Sequence, residues 1–290
     1  MKTKKRIYLF LVPGAILYFT FFIYPTISAF YYSLTDWNGL NFNYDMVGLS
    51  NFQKLASDTL FYTSAENNLK YLLFVVVMQT LFSLIFALIL VKNTRKNIVF
   101  RALFFFPTIL SSVSVAFIWS YIYDSNLGLI NPFLKFIGAG FLTQSWLGNT
   151  HIAIYSIAFA QVWFHFGQVM IIFIAGLQAI PLQLYESAKV DGANRWQTFS
   201  KITWPLIAPA TTMVIGYTTI QSFKAFDLIF AMTGGGPAYS TEILTNFIYD
   251  MGFKNMMFGY SSAASIVFMV IVVVITSLQF KIVNRNKFSY

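Results

Sequence analysis

Long uncharged apolar runs alternate with short polar stretches along the chain. A helix needs about 20 apolar residues to cross a hydrocarbon layer about 30 Å thick. Six runs reach this length, and we predict that each is a membrane-spanning helix: 7–34, 71–91, 102–123, 152–180, 206–226 and 260–280. The apolar stretch 127–142 contains Asn131-Pro132, Lys135 and three glycines, so we place it on the membrane surface. The pattern predicts an all-α polytopic membrane protein.

The basic residues are distributed unevenly between the predicted loops. Six spans put both termini on one side, which carries Lys2, Lys4, Lys5, Arg6, Lys92, Arg95, Lys96, Arg101, Lys189, Arg195, Lys201, Lys281, Arg285 and Lys287. The other side carries Lys54, Lys70, Lys135, Lys224 and Lys254. Because cytoplasmic loops hold the excess of Lys and Arg, we predict that the N and C termini are cytoplasmic. The first run is too long for a signal peptide, whose apolar core has about 7–15 residues, so we predict that it is retained.

Composition narrows the classes of function. The chain is 57% hydrophobic and 10% charged, whereas soluble domains carry about a quarter charged residues. The absence of cysteine excludes disulfides and thiolate catalysis, and two histidines are too few for a metal cluster. The net charge of +9 comes from basic residues that flank apolar runs, so it reflects membrane topology and does not indicate binding of nucleic acid. No nucleotide-binding loop of the form GxxxxGK[ST] occurs, and we predict no bound cofactor and no enzymatic activity.

The segment 181–205 is unusually polar for this chain. Pro181 suits the start of a helix, and Gly192 permits a sharp corner, so two short helices joined at Gly192 are predicted. Leu182, Tyr185, Ala188 and Lys189 share one face of the first helix, while Glu186 lies on another face. On these physical grounds, two interpretations are equally supported. The segment is either a protruding helix that binds in a groove of a soluble partner or an ordinary loop at the membrane interface.

A signature within this segment favours the first of these interpretations. Glu186, Ala188, Gly192, Ile202 and Pro205 stand at the spacing of the EAA signature of importer permeases, from which Ser187 and Trp204 depart. Further stretches resemble the first permease subunit of ABC carbohydrate importers similar to the maltose transporter: 32–37, 47–52, 130–131, 146–147, 185–193, 226–227, 233–237 and 258–263. The resemblance implies the type I ABC importer permease fold with six transmembrane helices.

The resemblance also implies a set of partners and a division of the chain. The partners are a second, different permease subunit, two copies of a cytoplasmic ATPase subunit that uses the ATP, an extracytoplasmic solute-binding protein and a sugar. Residues 1–70 then form the first transmembrane helix and an external loop, and residues 71–285 form a permease core of five helices. The core contains the coupling loop 181–205, and residues 286–290 form a cytoplasmic tail.

Two groups of site residues follow from the resemblance. The residues expected to couple to the ATPase are Tyr185, Glu186, Ser187, Ala188, Asp191, Gly192 and Ala193. The residues expected to bind substrate are Trp163, His165, Phe166, Gln168, Thr218 and Ser222, each of which has helix packing as an alternative role. Asp191 has a helix cap as its alternative role. Lys224 and Asp227 are predicted to form a local ion pair.

Other interpretations lack support in the residues. A secondary transporter needs internal repeats and a buried ionisable relay, and a membrane enzyme needs a catalytic constellation at membrane depth. Neither is visible in the sequence.

The cargo is the next question. The predicted spans contain no arginine that could bind a phosphate, which favours neutral saccharides over glycerol phosphate. Charged or uronic saccharides are a further alternative. The run 233–237, Thr-Gly-Gly-Gly-Pro, is either a flexible external turn or a contact for the binding protein.

Overall fold

The computed structural model describes the backbone of residues 2–284 and the side chains of residues 10–279 and 281. The regular secondary structure of this part of the chain is helical, apart from an isolated antiparallel bridge between Thr35 and Met46, and turns and loops connect the helices. The predicted all-α class is thereby confirmed. The predicted tail 286–290 and Arg285 lie outside the described residues, as do the side chains of Lys2, Lys4, Lys5 and Arg6.

Fifteen α-helices occur in the described part of the chain. They are α1 Lys2–Tyr18, α2 Tyr24–Tyr32, α3 Ser50–Leu55, α4 Thr59–Leu90, α5 Arg95–Phe105, α6 Ser112–Ile122, α7 Ile130–Phe136, α8 Ala153–Gln178, α9 Leu182–Val190, α10 Arg195–Thr198, α11 Trp204–Leu206, α12 Ala208–Phe223, α13 Phe226–Met232, α14 Leu244–Tyr249 and α15 Phe258–Asn284. Short 3₁₀ segments occupy Phe106–Ile109 and Gly140–Leu142, and π segments occupy Phe19–Ile23, Phe199–Thr203 and Asp250–Lys254. The first two π segments directly precede helices with a proline in their first turn, Pro25 in α2 and Pro205 in α11. Proline has no backbone N–H, so the regular hydrogen-bond pattern of an α-helix is interrupted there.

The described residues fall into two compact units. The first comprises residues 2–62 and 247–273, and the second comprises residues 63–246 and 274–284. Within the first unit, Tyr260 donates a hydrogen bond from its hydroxyl to Asp58 Oδ2 at 2.5 Å, and Phe61 packs edge-on against Phe247. The second unit contains every residue predicted above to couple to a partner or to bind substrate.

Four helical stretches of the described chain are long and apolar enough to cross a membrane: Phe10–Tyr32, Thr59–Leu90, Ala153–Gln178 and Phe258–Gln279. A fifth candidate consists of Arg95–Ile109 and Ser112–Ile122, which are bent by 100° at the break between them. The predicted span 206–226 corresponds mainly to α12, which has 16 residues. The count of six spans and the cytoplasmic termini therefore stay predictions.

The predicted continuous helix 102–123 is broken in the structure. Pro107 lies in the 3₁₀ segment that ends α5, and α6 starts afresh after Ser111. The Ser111 hydroxyl accepts a hydrogen bond from the backbone N–H of Ser114 at 3.1 Å, which caps the new helix. A second break follows α12, where the N–H of Phe226 bonds the carbonyl of Lys224 at 2.8 Å before α13 begins.

Helix α8 is the most enclosed of the candidate spans. Of the residues in the most apolar part of α8, 61% are buried by the rest of the chain, against 33% for the α4 span and none for Phe10–Tyr32. A Cβ on Gly167 would lie 1.9 Å from the carbonyl oxygen of Phe104, so α5 and α8 touch backbone to backbone. Ser83 and Thr108 donate hydroxyl hydrogen bonds to the carbonyls of Phe166 and Phe164, respectively. Helix α8 therefore forms the centre around which the second unit packs.

Candidate functional site

Residues 182–198 form the predicted pair of short helices, and a π segment and α11 follow them up to Leu206. Helix α9 begins after Pro181, which occupies its N-cap, and ends at a corner where Gly192 has a φ of +74°. The N–H of Gly192 bonds the carbonyl of Lys189 at 3.2 Å, and the N–H of Ala193 bonds the carbonyl of Ala188 at 2.9 Å. These two bonds form a Schellman motif, whose left-handed residue is usually glycine. The main chain therefore closes the corner by itself.

Helix α10 has its own cap. Asn194 accepts from the N–H of Gln197 at 2.9 Å, and the side chain of Gln197 accepts from the N–H of Asn194 at 2.8 Å. This reciprocal pair is a capping box. The alternative prediction that Asp191 caps α10 is wrong, because Asn194 stands at that position. Asp191 is exposed at the C-cap of α9.

The predicted coupling residues divide into an inner and an outer set. Ala188 is buried in its own chain, and Tyr185 is half-buried with its hydroxyl 3.2 Å from Oγ1 of Thr203. Ala193 is half-buried and Gly192 is exposed. Glu186, Ser187 and Asp191 are exposed, so they form the outer set. We call the helix pair 182–198 the coupling segment. The side chains of its outer set are accessible to a partner.

Large apolar side chains are also exposed on the coupling segment. Leu182, Val190 and Trp196 are 66%, 87% and 71% exposed. These side chains are open to lipid or to another molecule. The exposed charged residues of the coupling segment are Glu186, Asp191, Lys189 and Arg195, so its surface carries both signs of charge.

The root of the coupling segment is tied to the turn between α4 and α5. Gln178, the last residue of α8, donates to the carbonyl of Val91 at 3.1 Å and to Asn93 Oδ1 at 3.2 Å. Arg101 donates to the same Asn93 oxygen at 3.0 Å and to the carbonyl of Leu90 at 2.9 Å. These hydrogen bonds connect the end of α8 to the end of α4 and to α5.

A cavity of about 460 Å³, lined by both apolar and polar side chains, lies in the second unit, where two helices break. Helix α6 begins at one of its walls, and α12 gives way to α13 at another. His165, twelve residues into the 26-residue helix α8, lies near mid-span and lines a third wall. The lining residues are Ser112, Gln161, Phe164, His165, Tyr217, Ile220, Gln221, Lys224, Ala225, Asp227 and Leu228.

The structure brings one of the six predicted substrate residues, His165, to this cavity. Trp163 and Phe166 line a separate apolar cavity of about 170 Å³. Thr218 and Ser222 are fully buried, and the Ser222 hydroxyl donates to the carbonyl of Thr218 at 2.8 Å. Gln168 is half-buried and lines neither cavity. The assignment of substrate contacts to all six stays a prediction.

Among the polar lining residues, Gln161 and Tyr217 were not predicted from the sequence, whereas Gln221 had been considered as a polar group for sugar recognition. Gln161 lies four residues before His165, and Tyr217, Gln221 and Lys224 follow one another at helical spacing on α12. Oε1 of Gln221 is buried without a hydrogen-bond partner in the described chain, while its Nε2 lies 3.5 Å from the Tyr217 hydroxyl. The spacing of polar residues on one helical face was the signal that could have found them.

The predicted ion pair between Lys224 and Asp227 is absent. The ion pairs among the described residues join Lys70 to Glu66 and Lys254 to Asp250. Lys224 ends α12 and Asp227 lies in the first turn of α13, so the break separates two residues that were expected on one helix. Asp227 Oδ2 instead accepts a hydrogen bond from the Ser112 hydroxyl at 3.1 Å.

Comparisons with known proteins cover nearly the whole chain. Residues 71–288 match the family model described as "binding-protein-dependent transport system inner membrane component". The multiple sugar-binding transport system permease protein MsmF of Streptococcus mutans is 34% identical over 276 residues, which is 95% of this chain and 94% of MsmF. The sn-glycerol-3-phosphate transport system permease protein UgpA of Escherichia coli O157:H7 is 33% identical over 280 residues, covering 96% and 94%.

A solved structure matches the fold. It is the crystal structure of a bacterial ABC transporter involved in the import of the acidic polysaccharide alginate, and one of its chains is 22% identical. The TM-score is 0.83, and the match covers 99% of this chain and 98% of that one. This chain therefore has the same fold as that chain.

Proposed function

The chain belongs to the family of binding-protein-dependent transport system inner membrane components, and on that premise we propose that it is a permease subunit of an ABC importer for saccharides in the bacterial cell membrane. The observation that carries the cargo class is the cavity at the two helix breaks. Its amide, hydroxyl and aromatic lining suits a polyhydroxylated ligand, and a relative of similar length is a sugar-system permease.

The cavity is the proposed half of the translocation pathway. Irregular backbone at membrane depth is tolerated where it is buried in protein or lines a water-filled cavity. Transporters place substrate sites at such interruptions. The break before Ser112 and the break after Phe223 meet at one cavity, which supports this assignment. A second, different permease subunit would complete the pathway.

The coupling segment is the proposed contact with the ATPase. Glu186, Ser187 and Asp191 offer exposed polar groups, and Leu182 and Trp196 offer apolar surface. The chain lacks a nucleotide-binding loop of the form GxxxxGK[ST], so a separate ATPase subunit, present in two copies, hydrolyses ATP in this proposal. An extracytoplasmic solute-binding protein delivers the sugar. The permease itself is not an enzyme.

A second candidate cargo is glycerol phosphate. The similarity to UgpA, at 33% identity over nearly the whole chain, supports this alternative. The cavity supports it less, because a phosphate favours clustered cations and the lining contains a single lysine together with an aspartate.

The cargo is tested with the chain purified in mild detergent together with its co-purifying subunits and reconstituted in nanodiscs. Oligosaccharides and sn-glycerol 3-phosphate are added with the binding protein, and ATP hydrolysis is measured. Stimulation by an oligosaccharide is expected. Stimulation by glycerol phosphate alone would favour the second candidate. Failure of any ATPase subunit to co-purify would remove the importer proposal.

The coupling role predicts the effect of Glu186→Lys. Glu186 is proposed to pair with a basic group of the ATPase, which would repel a lysine at the same position. The substitution should therefore lower sugar-stimulated ATP hydrolysis by about tenfold or more. The matched control is Glu66→Lys, the same change at an exposed position of α4 whose pair with Lys70 is worth about 0.3–0.5 kcal/mol. Normal coupling in Glu186→Lys, or an equal loss in Glu66→Lys, would contradict the assignment.

A further inference from the structure

The cavity of the second unit contains both signs of charge. Lys224 and Asp227 are its lining residues with a fixed charge, and every lining residue belongs to the described chain. Both side chains are exposed, and they do not pair with each other. One carboxylate oxygen of Asp227 accepts from Ser112, and its second oxygen remains available to cargo. The formal charge contributed by these two residues is zero, and each charge faces whatever fills the cavity.

The remaining polar groups can both donate and accept hydrogen bonds. Gln161 and Gln221 carry an amide N–H₂ and an amide oxygen, and Tyr217 carries a hydroxyl. The unpartnered Oε1 of Gln221 needs a donor. A sugar hydroxyl satisfies such a set, because it donates to Asp227 or Gln221 and accepts from Lys224.

An anionic cargo group fits the same lining badly. A carboxylate or a phosphate dianion only accepts hydrogen bonds, so Lys224 can serve it, but Asp227 and the Gln221 oxygen cannot. The Asp227 carboxylate also repels an anion that enters the cavity. Specificity often rests on such a repulsive element against the wrong ligand.

We propose that Asp227 sets the charge selectivity of the cavity by balancing Lys224, so that it favours neutral polyhydroxylated cargo and rejects cargo that carries a carboxylate or phosphate. This inference rests on the proposed function and adds to it the charge class of the substrate and the residue that selects it.

The test measures equilibrium binding of labelled trisaccharides to the assembled transporter in nanodiscs, without the binding protein, which has a selectivity of its own. The probes are maltotriose and raffinose, which are neutral, and trigalacturonate, which has a carboxylate on each ring. The wild-type complex is expected to bind a neutral trisaccharide at least about tenfold more tightly than trigalacturonate. Asp227→Asn removes the charge and nearly keeps the shape, and it should reduce that preference about tenfold.

Lys224→Gln provides the opposite change. It should increase the preference for the neutral probe about tenfold, and it decides the question if Asp227→Asn does not assemble. A purely structural role for either residue would weaken binding of all probes together and leave their ratio unchanged. An unchanged ratio in both variants, or a wild-type preference for trigalacturonate, would overturn the inference while saccharide-stimulated ATP hydrolysis still supported the proposed function. Absence of any saccharide binding and any stimulation would remove both.

Discussion

The coupling segment and the core around α8 each depend on a glycine, for opposite reasons. Gly192 has a φ of +74° with nothing within 4 Å of where a Cβ would lie, so glycine is needed there for its backbone conformation. Gly167 lies inside a regular helix, and a Cβ would lie 1.9 Å from the Phe104 carbonyl oxygen. Glycine is needed there for the missing side chain. The corner is therefore built locally, whereas the core is built by contact between distant parts of the chain.

The largest expected effect is that of Gly167→Ala. The added methyl group meets backbone atoms of α5, which cannot turn away as a side chain could, so α5 and α8 must separate. We expect a loss of about 3 kcal/mol, at the upper end for overpacked interiors, measured as a lower thermal midpoint of the purified complex. Gly14→Ala in α1, with nothing within 4 Å of the added Cβ, is the control and should leave the midpoint in place. An unchanged midpoint in Gly167→Ala would break the comparison.

Gly192→Ala should have a smaller and different effect. A left-handed conformation costs a residue with a Cβ roughly 1–2 kcal/mol, which loosens the corner without disturbing the core. We expect the thermal midpoint to change little and sugar-stimulated ATP hydrolysis to fall severalfold. Gly192→Asn should retain more of that coupling, since asparagine tolerates positive φ better than alanine. A drop in midpoint as large as that of Gly167→Ala would show that the corner is not a local structure.

The smallest expected effect is that of Tyr185→Phe. It removes the hydrogen bond between the Tyr185 hydroxyl and Thr203, worth about 0.5–1.5 kcal/mol, and keeps the half-buried aromatic ring. Coupling should fall by less than in Gly192→Ala when ATP hydrolysis is measured under the same conditions. Tyr24→Phe, at an exposed residue of α2, is the control. A complete loss of coupling would mean that Tyr185 contacts the partner directly.

The same contrast explains which features the sequence could reveal. The corner followed from Pro181 and Gly192, because a Schellman motif needs only neighbouring residues. The cavity lining followed only in part, because Gln161 and His165 share one face of α8 but the sequence does not say which face of α8 meets α12. The resemblance placed Trp163 and Phe166 beside the substrate, whereas the structure places them in another cavity. The break at Ser111 was missed because Pro107 and the serines sit within an otherwise apolar run.

The Schellman corner also separates two tasks that a recognition loop often combines. Main-chain hydrogen bonds from Gly192 and Ala193 hold the shape of the corner. The exposed side chains of Glu186, Ser187 and Asp191 are therefore not needed to form it. Those three positions can diverge without unfolding the corner. On the proposed function, exchanging a few surface residues would therefore suffice to match such a permease to a different ATPase, which would give paralogous importers a short evolutionary route to sharing, or not sharing, one ATPase.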